Sequence, residues 1–279
     1  MKVLITGGTG FIGGRIAESL LARPNTTVII SGRNPPRDRA LLDAGAIFIA
    51  ADLSKPQDLE SILKGTDAII HCAGLAGTWG PYIDYFQANV VATQKLLSIA
   101  QKAGVKRFIN ISSPSIYFDF LDQINLSEES LPKKFSNAYA ETKYLAENVV
   151  AASHSDSFLT VSLRPRSVIG RGDRNVIPRL IRLQQTGSLF QVGRGENIVD
   201  ITSIQNLIDA VLLCLEAPAK SMGRTYNITN GEPIRFWNFV DMVLETAAMP
   251  RTRKKLPYGF VMALAMANEW RAKYAWLFA

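Results

Sequence analysis

Short apolar runs rich in β-branched residues alternate with helix-length segments through the first two-thirds of the chain. Parallel strands need long crossover connections and are buried on both faces, which makes their sequences continuously apolar. The predicted strands are Lys2–Thr6, Thr27–Ser31, Ala46–Ala50, Ala68–Cys72, Arg107–Ser112 and Thr160–Arg164. The predicted helices between them are Ile12–Ala22, Pro35–Ala44, Leu59–Leu63, Tyr82–Ala103 and Tyr139–Ala152. This alternation predicts an α/β fold built on a doubly wound parallel sheet.

The rhythm changes after about residue 165. Glycine-containing loop signals occur at Arg171–Asp173 and Gly193–Glu196, and a helical pattern over Ile204–Glu216 precedes a strand-like run at Thr225–Ile228. We therefore expect a main domain of residues 1–164, to which a segment of about 200–230 returns. A small α/β lobe of residues 165–199 and 231–279 completes the predicted organisation.

A glycine-rich loop separates the first predicted strand from the first predicted helix. Gly7, Gly10 and Gly13 have GxxGxxG spacing. Glycines at these positions permit a tight turn and let a pyrophosphate approach main-chain N–H groups at the positive end of the helix dipole. The pattern in this setting predicts a dinucleotide site of the Rossmann type. The residues expected to contact the cofactor here are Gly7, Thr9, Gly10, Phe11, Ile12 and Gly13.

The end of the second predicted strand bears on which dinucleotide binds. An NAD site usually has an acidic residue about 20 residues beyond the glycine loop to hold the ribose hydroxyls. Gly32 stands at that position here, and Arg33 follows it. A guanidinium pairs with a 2′-phosphate, whereas a carboxylate repels it. The sequence therefore favours NADP(H) over NAD(H); the alternative is that Arg33 is simply solvated.

The ends of the third and fourth predicted strands supply further cofactor candidates. Asp52 and Leu53 follow the third strand, where we expect them to flank the adenine. Ala73 and Gly74 follow the fourth strand, where small side chains leave room for the cofactor. His71, at the end of the fourth strand, is interpreted as a structural or lining residue rather than a catalyst.

Tyr139 and Lys143 form a YxxxK sequence on a predicted helix. Their side chains are about one turn apart and therefore face the same side of that helix. Ser113 follows the fifth predicted strand, at the carboxyl edge of the sheet where such folds bind their ligands. A YxxxK sequence alone is common, and a pair on a helix surface is the alternative. Its combination with Ser113 favours a catalytic group.

These motifs together resemble the extended short-chain dehydrogenase/reductase family. The residues that carry the resemblance are Thr6–Gly13, Asp52-Leu53, Asn89, Ser113, Tyr139, Lys143 and Leu163-Arg164-Pro165. The resemblance implies a Rossmann domain with a small substrate lobe and an NAD(P) cofactor that Asn89 and Pro165 also contact. It further implies a homodimer in which helices 82–103 and 138–152 pair with their copies.

The resemblance also implies a role for each member of the catalytic group. Tyr139 exchanges a proton with the substrate oxygen, although a free tyrosine with a pKa of about 10 is a poor base at neutral pH. The ammonium of Lys143 and the positive nicotinamide favour the phenolate form of this tyrosine, and Lys143 also binds the nicotinamide ribose. Ser113 donates a hydrogen bond to the substrate oxygen and stabilises its developing charge.

The substrate class is indicated by a closer resemblance to the 3β-hydroxysteroid dehydrogenase branch, which includes 2-alkyl-3-oxoalkanoate reductases. The segments that carry it are Ala73–Gly80, Ser112–Ser115, Arg164–Arg166, Gly170–Asp173 and Asn175–Leu180. Nucleotide-sugar relatives commonly have Asn near the position of Ser167 and Tyr-Gly where Tyr117-Phe118 stands here. Both departures disfavour a sugar substrate.

Three residues are candidate substrate contacts. Trp79 and Tyr82 are expected to line an apolar site, and Arg166 to pair with a substrate carboxylate. The alternative for Trp79 and Tyr82 is that they are ordinary core or loop aromatics. The alternative for Arg166 is a surface salt bridge. The leading hypothesis is an NAD(P)-dependent oxidoreductase that interconverts a hydroxyl and a carbonyl on an apolar 3-hydroxy/3-keto acid or a steroid-like substrate. The other hypotheses are a nucleotide-sugar epimerase or dehydratase and a non-catalytic dinucleotide-binding regulator.

The composition excludes a disordered, collagen-like or coiled-coil chain. Hydrophobic residues make up 47% of the chain and charged residues 20%, which are ordinary values for a globular protein. The formal net charge is +7, but no recognised nucleic-acid motif accompanies it, so we expect no nucleic-acid partner. Cys72 and Cys214 form neither a CxxC pair nor a metal-ligand spacing. The sequence therefore predicts no metal site. It predicts a reduced, cytoplasmic setting.

The C-terminal segment Tyr258–Ala279 is rich in Ala, Met, Phe and Trp and follows a basic cluster. It is interpreted as a core or lobe helix, with contact at a membrane surface as the alternative. No run is long and apolar enough to predict a transmembrane helix. The chain also ends earlier than is usual for the family, so we expect an incomplete substrate lobe; a natural short form is the alternative.

Overall fold

The computed structural model describes residues 1–53, 55, 60–77, 79–121, 123–251 and 254–274. Leu59, the predicted start of one helix, and residues 275–279 of the predicted C-terminal segment lie outside this set. The strands are β1 (Lys2–Thr6), β2 (Thr27–Gly32), β3 (Ile47–Ala50), β4 (Ala68–His71), β5 (Arg107–Ile111), β6 (Leu159–Pro165), β7 (Val168–Ile169), β8 (Gln191–Val192), β9 (Ile198–Val199), β10 (Thr202–Ser203), β11 (Thr225–Ile228), β12 (Ile234–Arg235) and β13 (Lys255–Leu256).

The helices alternate with the strands as the sequence predicts. The α-helices are α1 (Phe11–Leu21), α2 (Ala40–Asp43), α3 (Glu60–Leu63), α4 (Tyr82–Tyr85), α5 (Ala92–Lys102), α6 (Ala138–Ala152), α7 (Val176–Gln185), α8 (Ile204–Glu216), α9 (Phe236–Thr246) and α10 (Tyr258–Tyr274). A π-helical segment, Phe86–Val91, joins α4 to α5, and 3₁₀ turns occur at Pro114–Tyr117 and Ala219–Ser221.

Seven of the described strands form the main sheet, in the order β11-β6-β5-β4-β1-β2-β3. Every neighbouring pair in this sheet is parallel. The strand order reverses between β1 and β4. The chain adds β2 and β3 on one side of this point and β4, β5, β6 and β11 on the other. The carboxyl ends of β1 and β4 therefore border the crevice in which doubly wound sheets bind ligands. The predicted fold class, a Rossmann-type doubly wound sheet, is confirmed.

Both faces of the sheet are buried under helices. On β1, Val3 and Ile5 belong to one core cluster and Leu4 to the other, and all three are fully buried. The first cluster packs the sheet against α1 and α8, and the second packs it against α3 and α5. Burying each such side chain contributes about 1.5–3 kcal/mol. Two-sided burial explains why these strands are continuously apolar.

Two predicted helices differ from those observed. The predicted helix Pro35–Ala44 is reduced to α2, because the consecutive prolines lack N–H groups and the helix begins only after Asp38 accepts a bond from the Ala40 N–H at 3.1 Å. The predicted helix Tyr82–Ala103 is continuous, but its middle widens into the π-helical segment.

The chain forms two compact units. The first comprises residues 1–172 and 202–230, and the second residues 173–201 and 231–279. The first unit extends beyond the predicted boundary at residue 164, because β7 pairs in parallel with β10. Within the second unit α7 packs on α9, β8 pairs with β13, and β9 pairs with β12.

The C-terminal helix α10 belongs to the second unit. Its described apolar side chains are largely exposed, including Tyr258 at 62% and Met266 at 64%, so a buried core helix is not what forms here. Among the residues that the structure describes, no helix has both the length and the apolar character needed to cross a membrane.

Candidate active site

The glycine loop joins β1 to α1 through close main-chain contacts. Gly7 has a φ of +66°, a left-handed conformation that favours glycine. A Cβ at Gly7 would lie 2.8 Å from the Ala73 nitrogen, and one at Gly13 would lie 2.5 Å from the Gly7 oxygen. Gly8, which the predicted spacing leaves out, is equally restricted, since its Cβ would lie 2.7 Å from the Cβ of Ile30. Glycine is therefore needed for α1 to approach β1.

The N-terminus of α1 is open to an anion. Gly10 is its N-cap residue and is exposed, and no side chain among the described residues caps it. The first turn of α1 contains no acidic residue. The free N–H groups and the positive end of the helix dipole therefore fit the diphosphate of a dinucleotide. Phe11 and Ile12, two of the predicted cofactor contacts, form this first turn and are half-buried.

At the end of β2, the structure places the glycine loop beside the predicted specificity residues. The Gly8 N–H donates to the Ser31 oxygen at 3.1 Å. A Cβ at Gly32 would lie 2.7 Å from the Thr9 hydroxyl oxygen, so an acidic side chain does not fit there unless Thr9 moves. Arg33 follows and is exposed. This strand end therefore offers a positive rather than a negative side chain to a ribose.

Asn89 supports the end of β4. It lies in the π-helical segment and is 2% exposed. Its side-chain oxygen accepts the Leu75 N–H at 2.7 Å, while its amide donates to the Leu75 oxygen and to the Thr142 hydroxyl, both at 3.1 Å. A Cβ at Gly74 would lie 3.0 Å from the same side-chain oxygen. Asn89 therefore shapes the loop that carries Ala73 and Gly74, a role that the sequence analysis did not assign.

The remaining predicted cofactor residues lie at other strand ends. Asp52 and Leu53 follow β3, and Leu53 packs against the second core cluster. Pro165 is the last residue of β6 and is buried opposite Ile228 of β11. Pro165 therefore lies far from Asp52 and Leu53 across the sheet, because four strands separate β6 from β3.

The predicted catalytic residues come together beside the end of β5. Tyr139 and Lys143 lie on the first two turns of α6, which Asn137 caps by accepting the Ala140 N–H at 2.9 Å. The Lys143 ammonium donates to the Ile111 carbonyl at 2.8 Å. Ser113 begins the 3₁₀ turn Pro114–Tyr117.

Ser115 orients the Ser113 side chain. The Ser113 hydroxyl accepts the Ser115 N–H at 3.2 Å and donates to the Ser115 hydroxyl at 2.9 Å. The Ser113 hydroxyl also interacts with the Tyr139 phenol. Ser115 was not predicted as a site residue, although a serine two positions after Ser113 in a turn is a detectable signal.

Burial dominates the electrostatics of Tyr139 and Lys143. Burial raises its pKa, and the hydrogen bond with Ser113 opposes this increase without reversing it. Burial also lowers the pKa of Lys143 to about 8, and the carboxylate of Glu147 acts in the opposite direction. Burial is therefore the largest influence on both groups, and it favours the neutral form of each.

His71 lies in a buried polar cluster beneath this site. Its Nδ1 is 2.7 Å from the Thr6 hydroxyl and its Nε2 is 3.0 Å from the Thr93 hydroxyl. Thr93 in turn donates to the Asn89 carbonyl at 2.6 Å. Burial is the main reason that the His71 pKa falls to about 3, with a smaller contribution from the Lys143 charge. A neutral ring held at both nitrogens fits the structural role interpreted from the sequence.

The predicted substrate residues are exposed or half-buried. Trp79 is 76% exposed, and its carbonyl accepts the Tyr85 hydroxyl at 3.1 Å. Tyr82 is 43% exposed and stacks on Phe86. Arg166 is half-buried next to the end of β6. Tyr85, by contrast, is buried and its ring lies 6.3 Å from that of Tyr139.

An exposed apolar cluster that the sequence analysis missed follows the Ser113 turn. It consists of Phe118, Phe120, Leu121 and Ile124. The rings of Phe118 and Phe120 are 4.9 Å apart, and Phe120 has a φ of +68°, which is unusual for a bulky residue. The detectable signal was an aromatic and aliphatic run in a loop directly after Ser113.

A dinucleotide loop and a tyrosine–lysine pair at one edge of a doubly wound sheet define the class of short-chain dehydrogenases and reductases. The model of the NAD dependent epimerase/dehydratase family matches residues 3–229. The chain therefore belongs to that family, as the motifs predicted. It is an NAD(P)-dependent oxidoreductase of the extended short-chain type, in the 3β-hydroxysteroid dehydrogenase branch.

Two curated relatives represent this branch. The chain is 34% identical over 264 residues to the 2-alkyl-3-oxoalkanoate reductase of Stenotrophomonas maltophilia, covering 92% of this chain and 79% of the relative. It is 32% identical over 268 residues to the decarboxylating sterol-4-alpha-carboxylate 3-dehydrogenase of Bos taurus, covering 92% and 73%. Among solved structures, the UDP-glucuronic acid 4-epimerase of Bacillus cereus in complex with NAD superposes with a TM-score of 0.80 at 26% identity, covering 92% of this chain and 87% of that one.

Proposed function

We propose that the chain interconverts a hydroxyl and a carbonyl on an apolar 3-hydroxy/3-keto acid or a steroid-like substrate. The observation that carries this proposal is the meeting of Ser113, Tyr139 and Lys143 at the end of β5, on the same sheet edge as the glycine loop. Three polar groups at a ligand-binding edge, two of them with pKa values shifted by burial, are what a proton-transfer site requires.

Each residue has a distinct chemical role in this proposal. A bound nicotinamide dinucleotide supplies hydride to the carbonyl carbon or accepts it from the alcohol carbon. In the reducing direction, Tyr139 gives its phenolic proton to the substrate oxygen, and a raised pKa keeps that proton in place until transfer. Ser113 donates a hydrogen bond to the same oxygen as negative charge develops. Lys143 holds a positive charge near the phenolate that remains.

The apolar substrate is supported by the surface around the catalytic group. Trp79 and the cluster of Phe118, Phe120, Leu121 and Ile124 expose large apolar side chains in the segments that precede α4 and follow Ser113. Several large apolar side chains exposed in neighbouring segments of the chain are uncommon on soluble proteins and often mark a binding site. The names of the two curated relatives also refer to an alkyl ketoacid and a sterol carboxylate.

Arg166 is the proposed partner of a substrate carboxylate. It follows β6 directly, and its own N–H donates to the Ile228 carbonyl at 2.9 Å, which fixes the backbone at this position. Ser167 next to it has a φ of +42°, an uncommon conformation for a residue other than glycine. A half-buried guanidinium on a fixed backbone suits bidentate pairing with a carboxylate.

The proposed cofactor is NADP(H). Gly32 stands at the end of β2 where an acidic side chain would fit only if Thr9 moved, and exposed Arg33 follows. The proposed preference differs from the cofactor in the solved Bacillus cereus epimerase, which is NAD. Arg33 provides the charge that a 2′-phosphate needs.

A nucleotide-sugar epimerase or dehydratase is the second candidate, because the solved relative is a UDP-glucuronic acid epimerase. The non-catalytic regulator is the third. It is disfavoured because Ser113, Tyr139 and Lys143 are not only present but held by specific hydrogen bonds.

One assay separates the three candidates. Purified protein is incubated with NADPH or NADH and either a 2-alkyl-3-keto acid, its methyl ester or a 3-ketosteroid, and separately with NAD⁺ or NADP⁺ and UDP-glucose or UDP-glucuronic acid. We expect NADPH consumption with the keto acid and weaker activity with the ester, which cannot form the ion pair with Arg166. Conversion of a UDP-sugar with no ketone reduction would establish the second candidate, and dinucleotide binding without turnover of any substrate the third.

We further propose that the first compact unit binds the dinucleotide and that the second contributes to substrate binding, in a homodimer located in the cytoplasm. The proposed dimer contacts are the helical segment from Tyr82 to Lys102 and α6, as the family resemblance implies. Sedimentation of the protein as a monomer at micromolar concentration would remove the dimer from this proposal.

A further inference from the structure

An arginine-centred cluster lies behind the catalytic group. Arg164 on β6 and Glu147 on α6 are 3% and 4% exposed, and their side chains form a bidentate ion pair with distances of 2.5 to 3.1 Å. The Arg164 guanidinium also donates to the Tyr117 hydroxyl at 2.5 Å and to the Glu128 carbonyl at 2.8 Å. We call Arg164, Glu147 and Tyr117 the arginine clamp.

The clamp connects both parts of the catalytic group. Glu147 lies one turn after Lys143 on α6, whereas Tyr117 ends the 3₁₀ turn that Ser113 begins. The Tyr117 hydroxyl donates to the side-chain oxygen of Asn227 on β11 at 2.6 Å, and its ring lies 4.9 Å from the guanidinium carbon. The segment that follows Ser113 is thus tied to the sheet and to α6 through one buried cation.

The charges around Lys143 make Glu147 its main electrostatic partner. Lys143 faces His71 and Cys72 at the end of β4, Glu147 on its own helix and the Ile111 carbonyl of β5. Burial lowers the His71 pKa to about 3 and raises the Cys72 pKa to about 12, so both are neutral around pH 7. Glu147 supplies the negative charge, and Arg164 compensates it.

We propose that the arginine clamp is a positioning device that sets the charge state of Lys143 through Glu147 and holds Ser113 in place through Tyr117. Neither Arg164 nor Glu147 is assigned a contact with substrate or cofactor. This inference rests on the proposed function only in so far as turnover is used as a readout, since the protonation of Lys143 can be measured without substrate.

The arginine clamp predicts that the Lys143 pKa shifts in opposite directions when Glu147 or Arg164 is replaced. In Glu147→Gln, Lys143 loses its carboxylate and is left with an uncompensated Arg164 cation, so its pKa falls. In Arg164→Met, the carboxylate is no longer neutralised, so the Lys143 pKa rises. We expect each shift to be at least about half a pH unit, since nearby buried charges move a pKa by one unit or more. The double variant restores a neutral pair and should return the pKa close to that of the unchanged protein.

The titration of Lys143 is followed by NMR of the labelled lysine side chain, assigned with Lys143→Met, and the pH profile of kcat is measured in parallel. Glu216→Gln is the matched control, because Glu216 pairs with Arg23 at 2.9 Å on the surface of the same unit. It should leave the titration unchanged. Shifts of the same sign in the two single variants, or no shift in either, would overturn the electrostatic part of the inference.

The mechanical part is tested with variants that preserve the buried charges. Tyr117→Phe keeps the ring but removes the hydroxyl between Arg164 and Asn227, and Arg164→Lys keeps the charge but not the forked geometry. Both should lower kcat about tenfold or more while moving the Lys143 titration little, the loss expected when a reacting group is misplaced. Unchanged kcat in folded Tyr117→Phe would overturn this part. If Tyr139→Phe retained turnover, the proposed function would fail, but the NMR titration would still decide the electrostatic part.

Discussion

The Lys143 ammonium donates a hydrogen bond to the main-chain carbonyl of Ile111 at 2.8 Å. This bond joins the second turn of α6 to the last residue of β5, two positions before Ser113. Because the acceptor belongs to the sheet backbone, the position of the lysine depends on the fold and not on a mobile surface group. The same contact satisfies one N–H group of an ammonium that is only 6% exposed, while the carboxylate of Glu147 favours its charged form.

Tyr139→Phe should lower kcat at least about 100-fold, because removal of a positioned general acid or base typically costs 10²–10⁴-fold. Dinucleotide affinity, measured by fluorescence titration, should stay within about twofold, since the phenol is assigned to the substrate oxygen. Tyr144→Phe is the matched control, as Tyr144 lies on the same helix and packs on Phe135 with 5.3 Å between ring centroids. Turnover near that of the unchanged protein in Tyr139→Phe would refute the catalytic assignment.

Gly13→Ala should reduce both stability and dinucleotide binding. Its Cβ would lie 2.5 Å from the Gly7 oxygen, and such overpacking costs about 1–3 kcal/mol of unfolding free energy. Gly14→Ala provides the control one residue later, because its Cβ meets its nearest neighbour, the Gly8 oxygen, at 3.4 Å. That control should be tolerated or gain up to about 1 kcal/mol from helix propensity. Urea unfolding and cofactor titration give the two quantities, and equal effects at both positions would contradict the close-packing argument.

Arg33→Ala should weaken NADPH binding by about tenfold or more, the loss expected for one charge-assisted hydrogen bond. NADH affinity should change little, because NADH has no 2′-phosphate. Arg39→Ala is the matched control, since Arg39 is an exposed arginine that pairs with Asp43 at 3.6 Å. Isothermal titration with both dinucleotides measures the effect. A parallel loss for NADH and NADPH, or none for either, would reject Arg33 as the specificity residue.

The buried His71 predicts a loss of stability in acid. Its pKa in the folded chain is about 3, below the ordinary value of 6.5, so the unfolded chain binds the proton more readily between these pH values. Stability should therefore fall as the pH drops from 6.5 towards 3, by about 1.4 kcal/mol per pH unit for one proton. Urea unfolding across this range measures the slope.

His71→Gln should reduce that slope by the contribution of one proton. Slopes are compared rather than absolute stabilities, because the variant also changes the hydrogen bonds to Thr6 and Thr93. An undiminished slope in His71→Gln would show that the ring does not remain neutral in the folded state.

Much of the fold could be predicted because its signals are local. Continuous apolar runs identified the strands of the main sheet within one or two residues, since two-sided burial demands such runs. The prediction of a helix over Pro35–Ala44 was wrong in its extent, because two prolines outweighed the helical pattern around them and only Ala40–Asp43 is helical. The π-helical widening at Phe86–Val91 was not predicted, as Asn89 is held there by Leu75 and Thr142, which are remote in the sequence.

The sequence by itself determined the parallel sheet, the glycine loop and the pairing of Tyr139 with Lys143. Apolar runs, glycine spacing and helical periodicity act between near neighbours and can therefore be detected along the chain. Only the tertiary structure decided that burial raises the Tyr139 pKa and that Arg164 meets Glu147 and Tyr117 behind the site. Such effects depend on which distant segments pack together, and contacts between distant segments produce no periodic pattern in a single sequence.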